Sequence, residues 1–260
     1  DMGNCQAVIL AAGMGVRLNS VVQDMPKGLV EVGGQALVAR SVENLRFFGI
    51  DEIVLVTGYK SELYEAFAKD KEYVILIHND QYLSSGNMYS FYLTRNILKG
   101  DILLLESDVI YEKRALGEMI NSQSENGILL SGFTGAGDEV YVSATDGRVD
   151  GISKHKDVVN CVVGEWVGIS KVSRSLQQAM FDWADEQFEG SLLGDYESDC
   201  LAQVAQHHAI AFEKVNDLAW SEMDDAQHYQ RMTQEVLPRV LHNDATYFPD
   251  KEKEVGALKL

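Results

Sequence analysis

Basic residues are scarce in this chain of 260 residues, which has 22 lysines and arginines against 40 aspartates and glutamates and a formal net charge of −18. A surface that binds nucleic acid needs an excess of positive charge, so this balance argues against a nucleic-acid partner. Cysteine is scarce as well. Cys5, Cys161 and Cys200 are too few and too far apart for a disulfide framework or a zinc site, which suits a reducing cytoplasm.

Long apolar runs are also missing. No segment of the sequence approaches the ~18–20 apolar residues that a membrane-spanning helix needs. We therefore expect no membrane insertion and a cytoplasmic location. The histidines form no arrangement with a serine, aspartate or cysteine that suggests covalent catalysis, so the chemistry is expected to proceed without a covalent intermediate.

A loop of small residues follows the first apolar run, 7–10, and indicates a phosphate-binding function. Glycines in such a loop let backbone N–H groups approach a polyanion, and Arg17 and Lys27 supply the charge that a triphosphate needs. The loop is not a Walker A motif, and Leu18 stands where a Rossmann fingerprint has its third glycine. A structural turn is the alternative, but a turn does not require the two basic residues. The candidate loop residues are Leu10, Ala11, Ala12, Gly13, Met14 and Gly15.

The first half of the chain alternates apolar runs with helical patterns, which predicts an α/β fold with a mostly parallel central sheet covered by helices on both faces. The strands are expected at 7–10, 52–57, 74–78 and 102–106, and the helices at 36–48, 61–69, 88–98 and 115–122. Short strands at 128–133, 140–143, 149–153 and 162–169 predict a small mixed-sheet extension that forms a lid. Helices are then expected at 173–189, at 196–207 and after residue 225.

Two acidic groups are candidate Mg²⁺ ligands. Asp108 follows an apolar strand, and ligands of α/β sheets bind at such strand ends. Glu222 and Asp224 are two residues apart and would face one side of an extended segment. Helix capping is the alternative for Asp108 and for the residues around Asp224.

Other polar segments are candidates for contacts with substrate. The loop containing Ser85, Gly86 and Ser90 has hydroxyls suited to a base or ribose, although simple helix capping explains it equally well. Lys154 is a candidate for an acceptor phosphate or phosphonate, with a solvated lysine as the alternative. Glu165 beside Trp166 is suited to a cationic head group, and the acidic run at 194–199 is either a second ammonium-binding cluster or a helix first turn.

On the strength of these motifs, the chain resembles the sugar-phosphate and choline-phosphate nucleotidyltransferases, a family with a Rossmann-like fold. The resemblance extends from residue 1 to about residue 240. The matching elements are LAAGMGVRL at 10–18, PKGL at 26–29, ESD at 106–108 and EMD at 222–224. Within that family, the segments at 25–28, 103–111, 137–141, 164–169 and 195–197 are most similar to 2-aminoethylphosphonate cytidylyltransferases. The segment GNMYSFY at 86–92 is closer to the phosphocholine pattern, so phosphocholine stays open as the acceptor.

The resemblance implies CTP as the nucleotide, Mg²⁺ as the cofactor and release of pyrophosphate. Arg17, Lys27 and Asp108 would be catalytic, and Asp108, Glu222 and Asp224 would hold the metal. Glu106 and Ser107 would join the loop residues, Ser85, Gly86 and Ser90 around the nucleotide. The acceptor would contact Asp138, Glu139, Lys154, Glu165, Trp166, Asp195 and Tyr196.

We expect a single nucleotidyltransferase domain over residues 1–240, with its core at about 5–125 and 212–240 and an acceptor region at about 126–211. Residues 241–260 are expected to form a tail or the start of a linker. The partners expected are CTP and a small zwitterionic phosphonate or phosphate ester, with a homodimer and a fused or partner aminotransferase as further options. A nucleotide sensor without catalysis is the competing function, against which the complete set Arg17, Lys27, Asp108 and Asp224 argues.

Overall fold

The computed structural model describes residues 5–15 and 24–249. The strands of the described part are β1 (Gln6–Ala11), β2 (Glu31–Val32), β3 (Gln35–Ala36), β4 (Ile53–Thr57), β5 (Val74–His78), β6 (Ile102–Glu106), β7 (Val109–Tyr111), β8 (Gly127–Ser131), β9 (Tyr141–Thr145), β10 (Arg148–Ser153), β11 (Val162–Val172), β12 (Ala211–Val215) and β13 (Trp220–Glu222). The α-helices are α1 (Leu37–Phe47), α2 (Ser61–Ala68), α3 (Asn87–Tyr92), α4 (Arg114–Asn121), α5 (Arg174–Gln187), α6 (Ala202–Val204), α7 (Ala226–Arg231) and α8 (Leu237–Tyr247). None of these helices combines the length and the apolar character that crossing a bilayer requires.

The centre of the molecule is a mixed sheet with the strand order β10-β9-β11-β6-β1-β4-β5. Strands β6, β1, β4 and β5 are parallel, as the apolar runs predicted. Side chains of β1 alternate between two cores, with Val8 and Leu10 on one face and Ala7 and Ile9 on the other. Burial on both faces explains why the sequence of β1 is continuously apolar. The α/β fold with a mostly parallel sheet covered by helices is therefore confirmed.

Strand β11 joins the parallel half of the sheet to the expected extension. One end of β11 runs antiparallel to β6, with Val172 opposite Ile102. Its other end pairs with β9, with Glu165 opposite Tyr141. The β9–β10 hairpin forms the sheet edge, while β8 pairs with β11 and with the parallel strand β12. One strand thus connects both halves of the fold.

A two-stranded ribbon outside the main sheet brings the two acidic segments together. Glu222 in β13 lies opposite Val109 in β7, and the Met223 N–H donates to the carbonyl oxygen of Asp108 at 2.9 Å. The turn at Ser107 and Asp108 therefore lies beside the segment that ends in Asp224. This pairing could not be read from the sequence, because β7 follows β6 after only two residues.

Several elements differ from the predicted bounds. The helix expected at 88–98 ends at Tyr92 and continues as turns. The helix expected at 196–207 is a π-helical segment, Tyr196–Leu201, followed by the short α6. Residues 241–247 belong to α8 rather than to a tail, and Phe248 packs edge-on against Phe47 and Phe48. Helix α8 is held in place by the Asn243 amide, which donates to Glu112 at 2.6 Å.

Candidate active site

A cavity of about 500 Å³ opens where β1 and β6 end. The register pairs Leu10 of β1 with Glu106 of β6, so the small-residue loop and the ESD segment leave the sheet at the same edge. Ligands of α/β folds bind at this edge. The cavity lining combines residues of the loop (Leu10, Gly13 and Gly15), of the acidic strand ends (Glu106, Ser107, Asp108, Glu222 and Asp224) and of the extension (Asp138, Glu139, Tyr141, Lys154 and Trp166).

Lys27 lies at the centre of the acidic strand ends. Its Nζ donates to Asp224 Oδ1 at 2.7 Å and lies 3.5 Å from Asp108 Oδ2. Burial alone lowers the pKa of Lys27, but Asp108 and Asp224 outweigh this effect and the pKa is raised. Lys27 is therefore a permanent cation held by two carboxylates.

The glycine loop is adjacent to this lysine. Gly15 has φ +63°, and a Cβ built on it would lie 2.6 Å from Lys27 Cγ. The loop is anchored by the Tyr59 N–H, which donates to the Ala12 carbonyl at 3.1 Å. A side chain at position 15 would displace the lysine stem, so glycine keeps the charge close to the loop backbone.

The carboxyl groups of the cavity are crowded. Burial, assisted by Asp108, raises the pKa of Glu222 to about 11, and Glu222 also shares a hydrogen bond with Asp224. Burial raises the pKa of Asp108, with Lys27 opposing this rise and Asp224 adding to it. Burial also raises the pKa of Glu106 well above its ordinary value, with Glu197 and Asp108 contributing. Burial is the main cause of these raised pKa values, and it favours the protonated form of each carboxyl group, whereas a bound cation would favour the ionised form.

The donor set of Asp108, Glu222 and Asp224 fits Mg²⁺, because it offers carboxylate oxygens only. A second group is formed by Asp138, Asp224 and His228, whose potential ligand atoms lie within 4.8 Å of one another. His228 Nδ1 accepts from the Asp224 N–H at 3.2 Å, and its Nε2 lies 3.9 Å from Asp138 Oδ2. The nitrogen donor makes this second group less suited to Mg²⁺.

The glutamate at position 106 is held from two sides. The Tyr196 hydroxyl donates to Glu106 Oε1 at 3.4 Å. Gly168 in β11 has φ +93°, and a Cβ there would collide with Glu106 Oε2. The close approach of β11 therefore fixes where this carboxyl group points.

The extension lines the other side of the cavity with charged and aromatic groups. Tyr141 begins β9 opposite Ser153, so Lys154 follows at the same end of the hairpin. The Tyr141 hydroxyl donates to Glu139 Oε2 at 3.4 Å. Trp166 packs against Tyr196 with ring centroids 5.8 Å apart. This side offers a cation, carboxylates and aromatic faces within one cavity.

Several residues predicted for the site lie outside the cavity lining. Ser85 and Ser90 both accept hydrogen bonds from the Asn79 amide, at 3.1 and 3.0 Å. Gly86 packs against the backbone of Gly194, and its N–H donates to Leu192. The Ser85 and Ser90 hydroxyls thus organise the loop, and Ala11, Ala12 and Met14 are also absent from the lining. Arg17 lies outside the described residues.

Three predicted acceptor residues also have other positions. Glu165 accepts from the Thr134 N–H and hydroxyl at 2.7 and 2.8 Å, so its carboxylate is turned toward that loop. Tyr196 is fully buried beneath Trp166. Asp195 does not line the cavity. Its N–H donates to Asp199 Oδ2 at 2.8 Å.

Asn87 and Glu197 line the cavity although neither was individually predicted as a site residue, Glu197 lying within the acidic run at 194–199. The Asn87 amide donates to Glu197 Oε2 at 3.2 Å, and its Oδ1 accepts from the Tyr196 N–H at 2.8 Å. Burial raises the pKa of Glu197 to about 7, assisted by Asp195. Both residues lie in segments that the sequence had marked as polar, but no local pattern shows that these segments meet.

The chain is similar to known nucleotidyl-transferring proteins along most of its length. The family model for the MobA-like NTP transferase domain matches residues 7–198. The bifunctional IPC transferase and DIPP synthase of Aquifex aeolicus is 25% identical over 226 residues, covering 86% of this chain and 50% of the relative. The CMP-5'-(3-aminopropyl)phosphonate synthase of Streptomyces rubellomurinus is 29% identical over 238 residues, covering 85% of this chain and 37% of the relative. The chain thus spans half or less of these relatives' lengths.

Two further similar proteins are named for cytidylyl or CTP transfer. The choline-phosphate cytidylyltransferase of Streptococcus pneumoniae is 32% identical over 117 residues, which is 45% of this chain and 51% of the relative. The solved inositol-1-phosphate CTP transferase of T. maritima superposes with a TM-score of 0.78 at 20% identity, covering 94% of this chain and 97% of that one. The structural likeness concerns the fold.

Proposed function

Since the chain belongs to the family of MobA-like NTP transferases, we propose that it transfers CMP from CTP to 2-aminoethylphosphonate and releases pyrophosphate. The arrangement of Lys27 between Asp108 and Asp224 beside the glycine loop carries this proposal. It provides one fixed cation and a set of carboxylates where the triphosphate of a nucleotide would lie. The CTP half comprises residues 5–125 and 212–240, and the acceptor half comprises residues 126–211.

The nucleotide occupies the part of the cavity under the loop. Backbone groups of Leu10, Gly13 and Gly15 approach the phosphates, with Ala11, Ala12 and Met14 shaping the turn. Glu106 and Ser107 border the base and ribose. Lys27 neutralises the charge that develops on the leaving pyrophosphate, and Arg17 is proposed to assist it.

Asp108, Glu222 and Asp224 hold Mg²⁺ in this proposal. The bound ion supplies stabilisation of negative charge on the phosphate oxygens. A phosphonate oxygen of the acceptor attacks the α-phosphorus in line and displaces pyrophosphate. The oxygen is already ionised near neutral pH, so no residue has to remove a proton. Catalysis rests on positioning and charge stabilisation by the side chains.

The acceptor occupies the other half of the cavity. Lys154 binds the phosphonate, and Asp138, Glu139 and Glu197 surround the primary ammonium group. Tyr196 is buried and unavailable as a wall, so the aromatic groups that line the cavity here are Trp166 and Tyr141. Recognition of a trimethylammonium group relies on an aromatic cage. The larger number of carboxylates favours a primary ammonium group. Glu165 and Asp195 act on this half indirectly, through the Thr134 loop and the segment that carries Glu197.

Phosphocholine is the second candidate acceptor, which the segment at 86–92 favours. The test measures pyrophosphate release with CTP and Mg²⁺ for three acceptors at equal concentration. These are 2-aminoethylphosphonate, phosphoethanolamine and phosphocholine. Phosphoethanolamine separates the effect of the methyl groups from that of the carbon–phosphorus bond. We expect the order 2-aminoethylphosphonate, phosphoethanolamine, phosphocholine.

A Glu197→Gln variant tests the assignment of the ammonium site. We expect KM for 2-aminoethylphosphonate to rise at least tenfold, with KM for CTP nearly unchanged. The matched control is Glu189→Gln at an exposed glutamate after α5, which should leave both constants unchanged. In the acceptor assay, a preference for phosphocholine would overturn the assignment of 2-aminoethylphosphonate as the acceptor. If no acceptor led to pyrophosphate release, a nucleotide sensor without catalysis would be favoured.

A further inference from the structure

A second cavity, of about 290 Å³, lies beside the active-site cavity. Trp220 and Arg231 border both this cavity and a narrow cleft that also reaches Glu222. We propose that the second cavity, here called the arginine cavity and defined by Phe133, Leu218, Trp220, Arg231, Glu235 and Arg239, is a binding site for a small oxyanion. This inference does not depend on the proposed function.

Two guanidinium groups of one helical run line the arginine cavity. Arg231 ends α7 and Arg239 lies in α8. Arg231 Nη2 donates to Ser221 Oγ at 3.2 Å, and Arg239 Nη2 reaches the Asp217 carbonyl at 3.5 Å. Within residues 5–15 and 24–249, neither guanidinium forms an ion pair. Each guanidinium carries five N–H donors, so most of this capacity is available to a ligand.

Two carboxylates, Asp217 and Glu235, also line the arginine cavity. Asp217 Oδ1 accepts from Arg114 at 3.1 Å. Glu165 accepts from Thr134 and also interacts electrostatically with Arg231, while Glu235 is exposed to solvent. The two arginines therefore create a local positive charge in a chain that is strongly acidic overall.

Two buried donors in the wall lack an acceptor among the described residues. These are Trp220 Nε1 and Arg231 Nε. Folded proteins rarely leave buried N–H groups unpaired. The wall is thus rich in donors, with the Arg239 side chain exposed to solvent, and this chemistry suits a ligand made of acceptor oxygens rather than a cation or a neutral donor.

The backbone between the two arginines is irregular. Met232–Val236 forms a π-helical segment that interrupts the run from α7 to α8. Such wider turns often occur at functional sites. The segment includes Glu235 and Val236, which line the cavity. The irregular turn thus lies between the two groups that would hold the oxyanion.

The test is isothermal titration with inorganic phosphate of the wild-type protein and of five variants. Arg239→Gln removes one guanidinium at an exposed position, and Arg239→Lys keeps the charge. Arg148→Gln is the matched control, because Arg148 is exposed on β10 and does not line the arginine cavity. Lys27→Met, alone and combined with Arg239→Gln, reports on phosphate that binds in the active-site cavity instead.

We expect Arg239→Gln to weaken phosphate binding at least tenfold in the wild type and in the Lys27→Met background, Arg239→Lys to retain an intermediate affinity, and Arg148→Gln to bind as the wild type does. Unchanged binding in Arg239→Gln, or loss only in Lys27→Met, would overturn the proposal. Methylphosphonate and acetate then distinguish the ligand type. Tighter binding of methylphosphonate indicates a phosphate or phosphonate group, and tighter binding of acetate indicates a carboxylate.

Discussion

Replacing Lys27 by methionine separates a catalytic lysine from a structural ion pair. The lysine Nζ is held 2.7 Å from Asp224 and 3.5 Å from Asp108, and about a fifth of its side chain is exposed. If this cation stabilises the leaving pyrophosphate, its loss removes one preorganised charge, which typically lowers the rate by about 10²–10³-fold, or about 3–4 kcal/mol. Methionine keeps most of the length of the stem and removes the charge together with the hydrogen bond to Asp224.

In the same variant we expect the maximal rate to fall but the apparent affinity for Mg²⁺ to increase. Lys27 is paired with two of the carboxylates proposed to hold Mg²⁺, so lysine and metal compete for them in the free protein. Lys27→Met should therefore reach half-maximal rate at a lower Mg²⁺ concentration while its maximal rate is reduced. The assay is pyrophosphate release at varied Mg²⁺ and saturating CTP.

The control is Lys69→Met, which removes an exposed lysine after α2 and should change neither quantity. Turnover of Lys27→Met within threefold of the wild type would refute the catalytic assignment. A requirement for more Mg²⁺ would refute the competition, because it would mean that Lys27 helps rather than hinders metal binding.

Three further predictions concern stability and the supporting residues. Burial raises the pKa of Glu197 from 4.5 to about 7, so the folded protein keeps a proton there that the unfolded chain loses. Its unfolding free energy should fall as pH rises from 5 to 8, by up to about 3 kcal/mol, and Glu197→Gln should flatten this slope in chemical denaturation. Gly168→Ala should raise KM for CTP at least tenfold, because the added methyl group would collide with the carboxyl group of Glu106, which is proposed to border the nucleotide. Gly147→Ala also has a positive φ but has nothing within 4 Å, so equal effects of the two variants on KM would contradict this. Asn243→Ala removes a donor to the fully buried Glu112 and should cost about 1.5–3 kcal/mol in denaturant unfolding, and a loss below 0.5 kcal/mol would contradict this contact's role.

The parallel half of the fold was predictable because its signals are local. The runs at 7–10 and 102–106 are continuously apolar, and each strand is buried on both faces. Strand β12 escaped prediction because Ala211–Val215 contains a glutamate and a lysine, and its burial is only partial. It exists because it pairs with β8 along its whole length.

The site was predictable wherever a motif carries its own chemistry. Gly13, Gly15, Lys27, Asp108 and the EMD segment all border the same cavity. The contacts among them were not predictable, since 197 residues separate Lys27 from Asp224 in the chain. The assignment of Ser85 and Ser90 to the nucleotide stays a prediction, because their hydroxyls bind the Asn79 amide and do not line the cavity.

The position of the β9–β10 hairpin has a consequence for how such proteins diversify. Among residues 5–15 and 24–249, the hairpin pairs with another strand of the sheet only at β11, and it carries Tyr141 and Lys154 at one end. Substitutions and changes of loop length in the hairpin can therefore accumulate without disturbing the ribbon that carries Glu222. An ancestral protein of this architecture could exchange one small acceptor for another while inheriting its nucleotide machinery unchanged. Under the proposed function, divergence of substrate and constancy of reaction would thus belong to separate stretches of the same chain.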